Sequence, residues 1–427
     1  NAWSVWRSFT GKQRGEFLRR IAENIEHRAD EIARTITFEN GKPLAQSRGE
    51  VAMTVDHLQW FAEEARRAYG RVVPQQAEGK RHLVLKQPVG VVGAIAPWNF
   101  PLVLAVRKVA PALAAGCPVV LKPASATPLS SLALAEAVHE VGLPAGVFQL
   151  VVGRAQEIAA EMFSNPNCRK VTFTGSTEVG HELIRLAATN VTKLSLELGG
   201  HAPFIVFDDA DLDLAVEGAL IAKFRNTGQS CIAANRIYVQ RGIYEVFVER
   251  FVEGAKSLKV GDGLGEGVEI GPLIDEQTLQ NALGQITNAK EQGGRVLCGG
   301  QRWDGGTGCF LEPTVLSDVP MDALCMSDET FAPVVPVVPF ETEDEVIRQA
   351  NDTRYGLAAY FFTNNLARAW RVAESLEAGT VAVNDSVPAT SQCPFGGMKQ
   401  SGLGRELGSE GLDAYLEVKH VSFGGIE

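Results

Sequence analysis

A single thiol lies in a stretch whose residue types favour a tight turn over a packed core. Cys231 belongs to KFRNTGQSCIAANR, residues 223–236, and Arg225 precedes it by six positions. A loop thiol becomes a nucleophile where its surroundings favour the thiolate. A buried thiol in an ordinary loop explains the same residues, so its partners elsewhere in the chain must decide between the two interpretations.

Two other residues could complete acyl chemistry at a thiol. Glu197 lies in the apolar run LSLELGGHAP, where a carboxylate would have a raised pKa and could act as a general base. Asn99 stands in APWNFP ahead of a predicted helix, and its amide could donate to a developing oxyanion. An exposed glutamate on a strand edge and a simple helix N-cap are the alternatives.

Two predicted strand ends carry groups that suit a nucleotide. In FTGSTEVG, residues 173–180, Gly175 permits a tight turn and Ser176 can cap a helix whose free N–H groups attract phosphate. Lys122 and Ser125 follow another strand, at the edge where open α/β sheets bind ligands. FTGSTEVG is not the GxGxxG fingerprint, so a capped turn that binds nothing and a solvated loop lysine remain open.

The elements that must position these residues alternate between strands and helices, which predicts a doubly wound parallel sheet. Helical patterns cover about residues 12–37 and 44–69. Strand-like runs followed by helices occupy 91–96 with 101–115, 118–123 with 128–141, 148–153 with 155–163, and 170–175 with 177–188. A second alternating set, which predicts a second α/β domain, includes 201–207, 235–240, 334–340 and 379–384.

Composition excludes several functional classes. The net charge of −11, without a basic stripe, argues against a nucleic-acid partner. No apolar run reaches the roughly 18 residues that a membrane span needs, so we expect no membrane partner. Seven irregularly spaced cysteines argue against a disulfide framework and favour a reducing, cytoplasmic compartment. The scattered histidines predict no metal site.

Seven motifs, taken in order, resemble the NAD(P)-dependent aldehyde dehydrogenase superfamily. They are PWNFP, KPAS, FTGSTEVG, LELGG, GQSC, DETFAPV and PFGGMKQSGLGRE. The resemblance extends over essentially the whole chain and is specific, because separate motifs agree in order and spacing. Its one departure is at the start, where the family usually has some tens of residues more, so we expect a preceding segment.

The resemblance implies an α/β fold with a Rossmann-type cofactor domain, a second α/β catalytic domain and a small β oligomerisation arm. We assign residues 1–70 and 89–199 to the cofactor domain and 200–408 to the catalytic domain. The extended segment 71–88 and residues 409–427 form the arm. Its exposed strand edges invite pairing, and a homodimer or homotetramer is expected.

The resemblance also assigns the chemistry. Cys231 attacks the aldehyde carbon, its backbone N–H and the Asn99 side chain hold the oxyanion, and Glu197 activates water to hydrolyse the thioester. Lys108 and Glu406 match a proton-exit route.

The cofactor in this resemblance is NADP or NAD. Lys122 would hold the adenosine ribose and Gly175 with Ser176 the pyrophosphate, while Trp98 would line the cleft. Glu329 and Phe331 match the grip on the nicotinamide ribose and ring. Members that prefer NAD often carry a glutamate where Ser125 stands here. A serine removes the repulsion of a 2′-phosphate, so we predict that NADP is accepted and a preference for NADP is consistent with this position.

Two arginines indicate the substrate. Members that take small apolar aldehydes look aromatic at the positions of Arg107 and Arg225, and Arg107 lies roughly 12 Å beyond Asn99 along the predicted helix. Buried guanidinium groups need a partner, which a substrate carboxylate supplies with bidentate geometry. The pair resembles succinate-semialdehyde dehydrogenases and their glutarate and 2-oxoglutarate semialdehyde relatives. Pairing of each arginine with a protein carboxylate is the alternative.

Two positions depart from those relatives. Ala389 aligns where they often place a hydroxyl residue, and Ala233 stands where some carry a second cysteine, so we predict no local disulfide switch. Three other functions stay open: a general aldehyde dehydrogenase, a CoA-acylating enzyme, and a non-catalytic structural protein of the same fold. Glu197 favours hydrolysis over transfer to CoA.

Overall fold

The computed structural model describes residues 2–425. Residues 1, 426 and 427, at the ends of the predicted cofactor domain and arm, lie outside this range. The helices of the described chain are α1 Ala2–Trp6, α2 Gly11–His27, α3 Ala29–Asn40, α4 Leu44–Glu64, α5 Val103–Ala115, α6 Leu129–Glu140, α7 Ala155–Ser164, α8 Thr177–Ala187, α9 Leu212–Phe224, α10 Tyr244–Ser257, α11 Glu276–Glu291, α12 Leu324–Ser327, α13 Glu343–Asn351, α14 Leu366–Ser375 and α15 Gly408–Asp413.

The strands form three sheets. They are β1 Arg71–Val73, β2 Arg81–Pro88, β3 Val91–Ile95, β4 Val119–Lys122, β5 Phe148–Leu150, β6 Cys168–Thr174, β7 Lys193–Glu197, β8 Ala202–Val206, β9 Ala234–Gln240, β10 Arg295–Cys298, β11 Thr314–Ser317, β12 Val334–Phe340, β13 Ala358–Phe362, β14 Thr380–Val383, β15 Gly402–Leu403 and β16 Leu416–Phe423.

The first sheet has the order β15-β7-β6-β3-β4-β5. The five strands β3 to β7 are parallel, and β15 joins β7 in the antiparallel direction. Helices cover both faces, because alternate residues of β3 enter different cores. Ala94 packs into the core that contains residues of α2, α4, α5 and α6, whereas Ile95 packs into the core with residues of α7 and α8. This is the doubly wound, Rossmann-type sheet that the sequence predicted.

The second sheet has the order β10-β11-β12-β9-β8-β13-β14 and is parallel except for β10. Two hydrophobic cores cover its faces. It begins with β8, which follows β7 after a short turn, so the two sheets meet where β7 ends. That junction holds the candidate site.

The third sheet is the predicted arm. Strand β2 pairs with β16 over eight residues, from Pro88 opposite Leu416 to Arg81 opposite Phe423, and β1 adds to its other edge. These three sheets confirm the predicted fold class. The domain boundaries stay a prediction; β15, which lies in the range assigned to the catalytic domain, pairs with the cofactor sheet.

The helical pattern over residues 12–37 is two helices and not one. The chain breaks at Arg28, which has φ −100° and ψ 16° and closes α2 with N–H bonds to the carbonyls of Asn24 and Glu26. Asp30 and Glu31 then occupy the first turn of α3, where acidic residues favour a new helix start. The apolar stripe continues across the break, so spacing alone conceals it.

Two observations bear on partners. Every helix in residues 2–425 is too short or too polar to cross a bilayer. Within the same range, no group of three or more His, Cys, Asp or Glu side chains could hold a metal ion.

Candidate active site

Cys231 ends a strained turn between α9 and β9. Asn226 and Thr227 have φ of 52° and 57°, values that non-glycine residues rarely adopt. The backbone around the thiol is also crowded, since a Cβ at Gly200 would lie 2.1 Å from the Cys231 carbonyl oxygen. Strained backbone of this kind persists where the surrounding structure fixes it, and it clusters at functional sites. The turn is therefore more than an ordinary loop that contains a thiol.

Asn99 lies beside this turn. Its side chain is 4% exposed, and Nδ2 donates to the carbonyl of Gln229 at 3.2 Å. An amide nitrogen carries two hydrogens, so a second one can donate to a ligand. The N-cap of α5 is Leu102, without a side-chain bond. The interpretation of Asn99 as a simple helix cap is therefore wrong.

Glu197 is the last residue of β7 and is buried, at 3% exposure. The interpretation as an exposed strand-edge glutamate is therefore wrong. Burial raises the pKa of its carboxyl well above the ordinary value; Glu406 raises it further, while Lys108 and Arg107 lower it. Oε2 has no hydrogen-bond partner within the described chain. A buried carboxyl with a raised pKa and a free oxygen suits a general base or acid.

The resting thiol is protonated at neutral pH. Burial raises the pKa of Cys231 to about 12, Glu329 and Glu197 raise it as well, and Arg107 and the residue's own backbone N–H lower it. Reaction therefore requires a proton acceptor or a change of charge when ligands bind.

A cavity of about 240 Å³ opens beside the thiol. Its lining brings together seven residues that the sequence assigned to catalysis or cofactor binding, namely Trp98, Asn99, Gly175, Ser176, Cys231, Glu329 and Phe331. The rings of Trp98 and Phe331 meet edge to face, with centroids 5.5 Å apart and an interplanar angle of 82°. Oε1 of Glu329 accepts the N–H of Gly200 at 2.9 Å, and burial raises the pKa of this carboxyl to about 7.

Two glycines and a helix start in the cavity wall are compatible with a bound dinucleotide. A Cβ at Gly175 would lie 2.2 Å from the Phe173 ring, so any larger residue at the end of β6 would require that ring to move. Ser176 caps α8 by accepting the N–H of Val179 at 3.3 Å. The remaining first-turn N–H groups of this eleven-residue helix are donors of the kind that bind phosphate. A Cβ at Gly199 would likewise meet Oε2 of Glu329 at 2.8 Å.

Lys122 and Ser125 do not line this cavity. They lie at the end of β4, which neighbours β3 at the same edge of the sheet. Lys122 is 5% exposed and burial lowers its pKa, whereas Ser125 is exposed. The interpretation of Lys122 as a solvated loop lysine is therefore wrong.

Lys108 and Glu406 lie next to the general-base candidate. Nζ of Lys108 donates to Oε1 of Glu406 at 2.5 Å and to the hydroxyl of Thr174 at 2.6 Å. Thr174 lies opposite Glu197 in the register of β6 and β7 and lines the cavity. The fold thus places the predicted proton route in one buried cluster with Glu197.

The two arginines contact aromatic rings. Cζ of Arg107 lies 4.8 Å from the Phe395 centroid, and Cζ of Arg225 lies 5.3 Å from the Phe100 centroid. Neither forms an ion pair with a carboxylate of residues 2–425, so the pairing alternative is not observed there. Burial lowers the pKa of both guanidinium groups. Arg225 also lines a second cavity of about 590 Å³.

The sequence did not indicate several residues that contact the arginines or Asn99. Phe100 and Phe395 lie inside the motifs PWNFP and PFGGMKQSGLGRE, and that is the signal by which the sequence could have indicated them. Lys42 and Asn226 bond to the Asn99 backbone. Of the two departures noted in the sequence, Ala389 packs against the cofactor-domain core and Ala233 is 1% exposed.

The fold and the site together define a class of protein. A thiol and an amide donor line a glycine-containing cavity at the carboxyl edge of a Rossmann-type sheet. The buried Glu197 does not line this cavity but ends β7 next to Leu198, which does. This arrangement is typical of a nicotinamide-dependent dehydrogenase that works through a cysteine. A model of the aldehyde dehydrogenase family matches residues 1–421. The chain belongs to this family, which confirms the resemblance and the NAD(P)-dependent enzyme class.

Individual relatives are similar over almost the whole chain. Glutarate-semialdehyde dehydrogenase of Pseudomonas aeruginosa is 51% identical over 425 residues, which are 100% of this chain and 88% of the relative. The NADP(+) succinate-semialdehyde dehydrogenase of Escherichia coli is 50% identical over 423 residues, 99% of this chain and 88% of the relative. The crystal structure of succinate-semialdehyde dehydrogenase from Burkholderia pseudomallei superposes with a TM-score of 0.98 at 46% identity, covering 99% and 88% of the two chains.

Proposed function

We propose that this enzyme oxidises a carboxylate-bearing semialdehyde, with succinate semialdehyde as the first candidate, to the dicarboxylate with NADP or NAD. The observation that carries the proposal is the pair Arg107 and Arg225, which are buried or half-buried and lack a carboxylate partner within residues 2–425. A substrate carboxylate supplies the missing anion. The similar enzymes named for succinate and glutarate semialdehydes support this substrate class.

The first step is addition to the aldehyde. The Cys231 sulfur gives its proton to water and attacks the carbonyl carbon, which forms a C–S bond and turns the carbonyl oxygen into an oxyanion. The free hydrogen of the Asn99 amide and the Cys231 backbone N–H stabilise that charge. The two arginines hold the far end of the substrate, so the reacting carbon is oriented before attack.

When bound, NADP or NAD supplies the acceptor for the hydride that leaves the thiohemiacetal carbon. Lys122, Gly175, Ser176, Glu329 and Phe331 would hold it, with Trp98 along the cavity wall. Ser125 is exposed at the end of β4 and carries no charge against a 2′-phosphate. We therefore expect NADP to be accepted, in line with the NADP(+) enzyme of Escherichia coli.

Hydrolysis of the thioester completes the cycle. Glu197 takes a proton from water, whose oxygen forms the new C–O bond as the C–S bond breaks and the thiol re-forms. The proton then passes to the Lys108–Glu406 pair. The balance is one aldehyde, one water and one oxidised nicotinamide giving one carboxylate, one reduced nicotinamide and two protons.

The cellular setting follows from the same features. All seven cysteines are free, which supports a reducing compartment, and we propose the cytoplasm. The outer edge of the β16–β2–β1 arm supports association into a homodimer or homotetramer. The domain boundaries at residues 70, 88, 199 and 408 remain a prediction.

Product analysis tests the proposal. Succinate semialdehyde with NADP should give succinate and NADPH in equal amounts without CoA, and added CoA should change neither. Formation of succinyl-CoA would instead identify a CoA-acylating enzyme. No turnover of either succinate semialdehyde or butyraldehyde would favour a non-catalytic protein on this fold.

A further inference from the structure

We propose that Lys42, through its buried ion pair with Glu50, is a positioning residue that fixes the Asn99 loop in the geometry the oxyanion requires. Lys42 lies in the turn between α3 and α4, far in sequence from every motif of the site. The inference rests on the proposed role of Asn99 as an oxyanion donor. It adds that a residue outside the cavity holds the Asn99 loop in position.

Lys42 bonds both to Glu50 and to Asn99, the proposed oxyanion residue. Its Nζ donates to Oε2 of Glu50 at 2.7 Å and to the main-chain carbonyl of Asn99 at 2.6 Å. Both charged side chains are completely buried. A buried ion pair is weak evidence for stability, because desolvation offsets its attraction. A pair that also bonds to a catalytic loop has a different use, which is to fix the position of that loop.

Glu50 holds the other end of the same loop. Its second oxygen, Oε1, accepts the N–H of Leu102 at 2.9 Å and that of Val103 at 3.2 Å, at the start of α5. The ion pair therefore connects the Asn99 carbonyl with the first turn of the helix that carries Arg107 and Lys108. A shift of Lys42 relative to Glu50 would move the loop relative to the helix.

Lys42 also contacts the ring beside the substrate arginine. Its Nζ lies 3.9 Å from the Phe100 centroid, and Arg225 contacts the same ring at 5.3 Å. One buried lysine thus touches the loop that carries the oxyanion donor and the ring that supports Arg225. The side chain of Asn226 gives the Asn99 carbonyl its second bond, at 2.8 Å, so loss of Lys42 would loosen the loop without releasing it.

A double-mutant cycle tests this assignment. The first change is Lys42→Met with Glu50→Gln, which removes the ion pair without leaving an unpaired buried charge. The second is Asn99→Ala. The rate of reduced-nicotinamide formation in a single turnover, at saturating NADP, is measured for all four proteins, and circular dichroism follows their folding.

If Lys42 acts through Asn99, losing the ion pair slows the single turnover about 10-fold or more in the wild-type background, less than the 10²–10³ loss of an oxyanion donor. The same change costs less than about twofold once Asn99 is alanine. The matched control removes the exposed ion pair between α3 and α4, by Arg48→Met with Asp30→Asn, and leaves the rate unchanged.

Two results overturn the inference, and they are distinguishable. Equal losses in both backgrounds would mean that Lys42 acts on stability in general, while the role of Asn99 stands. No loss from Asn99→Ala alone would remove the proposed oxyanion role and the inference with it. If the double change unfolds the protein, Glu50→Gln alone keeps the side-chain volume and enters the same cycle, with the same two outcomes.

Discussion

The guanidinium group of Arg107 lies over the ring of Phe395, with Cζ 4.8 Å from the ring centroid, and it has no carboxylate partner within residues 2–425. Its Nε is buried without a hydrogen bond. The face of an aromatic ring offsets part of the free-energy cost of burying a cation. It leaves the N–H donors at the edge of the guanidinium plane free. Within this range Arg107 is therefore a buried cation without an anionic partner, as the proposed substrate role requires.

The same arginine influences the nucleophile. Arg107 lowers the pKa of the Cys231 thiol, whereas Arg225 is not one of the main charges that shift it. We predict that Arg107→Met raises the thiol pKa, so alkylation by iodoacetamide slows at fixed pH and its pH profile moves to higher pH. Arg225→Met is the matched control and leaves the profile in place. Equal shifts in both variants would contradict this assignment.

Glu197 should control the second half of the reaction. In Glu197→Gln we expect a burst of about one reduced nicotinamide per subunit, followed by steady-state turnover lowered about 10²- to 10⁴-fold, because thioester hydrolysis loses its base. Stopped-flow absorbance measures both phases. Glu249→Gln, at an exposed position on α10, serves as control. Normal steady-state turnover in Glu197→Gln would exclude the proposed role.

The pH dependence of that step follows from the burial of Glu197. Its pKa is raised well above the ordinary value, so at low pH the carboxyl is protonated and cannot accept a proton. Deacylation should therefore accelerate as pH rises through the shifted pKa, and this rise should vanish in Glu197→Gln. Single-turnover decay of the acyl-enzyme across pH checks the prediction. A pH-independent wild-type rate would contradict it.

Ser125 should set the tolerance for NADP. A glutamate at this exposed position would repel the 2′-phosphate, so Ser125→Glu should lower kcat/KM for NADP about tenfold or more, near 1.4 kcal/mol, and change that for NAD little. Ser125→Gln keeps the size without the charge and should behave like the wild type with NADP. Equal losses with both cofactors in Ser125→Glu would place Ser125 outside the ribose site.

Gly200 should be irreplaceable for positioning the thiol. A methyl group there would overlap the Cys231 carbonyl, at 2.1 Å. Gly200→Ala must displace the catalytic turn, and a displacement of about 1 Å can lower activity about 10²-fold. Gly284→Ala, in the exposed face of α11 with no atom within 4 Å, should keep activity and gain about 0.5–1 kcal/mol of stability. Full activity of Gly200→Ala would contradict the crowding argument.

Local patterns predicted the parallel cofactor sheet well, because its strands are short apolar runs bounded by turn residues. The break at Arg28 was missed since the apolar stripe crosses it without a change of phase. Strand β13, Ala358–Phe362, is one continuous apolar run, and spacing cannot separate such a run from a buried helix.

The site was predictable where chemistry and motif coincide, as at Cys231, Glu197 and Asn99. The residues that hold the site in place could not be predicted. Lys42 is 57 positions from Asn99, and Glu50 is more than 50 positions from the start of α5, to which it bonds. Nothing in the residues near Lys42 reveals those partners. Three-dimensional contact between distant segments decides them, as it also decides which ring lies beneath each arginine.

The most direct test of the central claim compares two aldehydes of similar length. We would measure kcat/KM for succinate semialdehyde and butyraldehyde with NADP, in the wild type, Arg107→Met and Arg225→Met. The account predicts a large preference for the semialdehyde that falls about 10- to 100-fold in each variant. This is about 1.4–2.7 kcal/mol, close to the contribution of a hydrogen bond to a charged group. Equal kcat/KM for the two aldehydes in the wild type would contradict it.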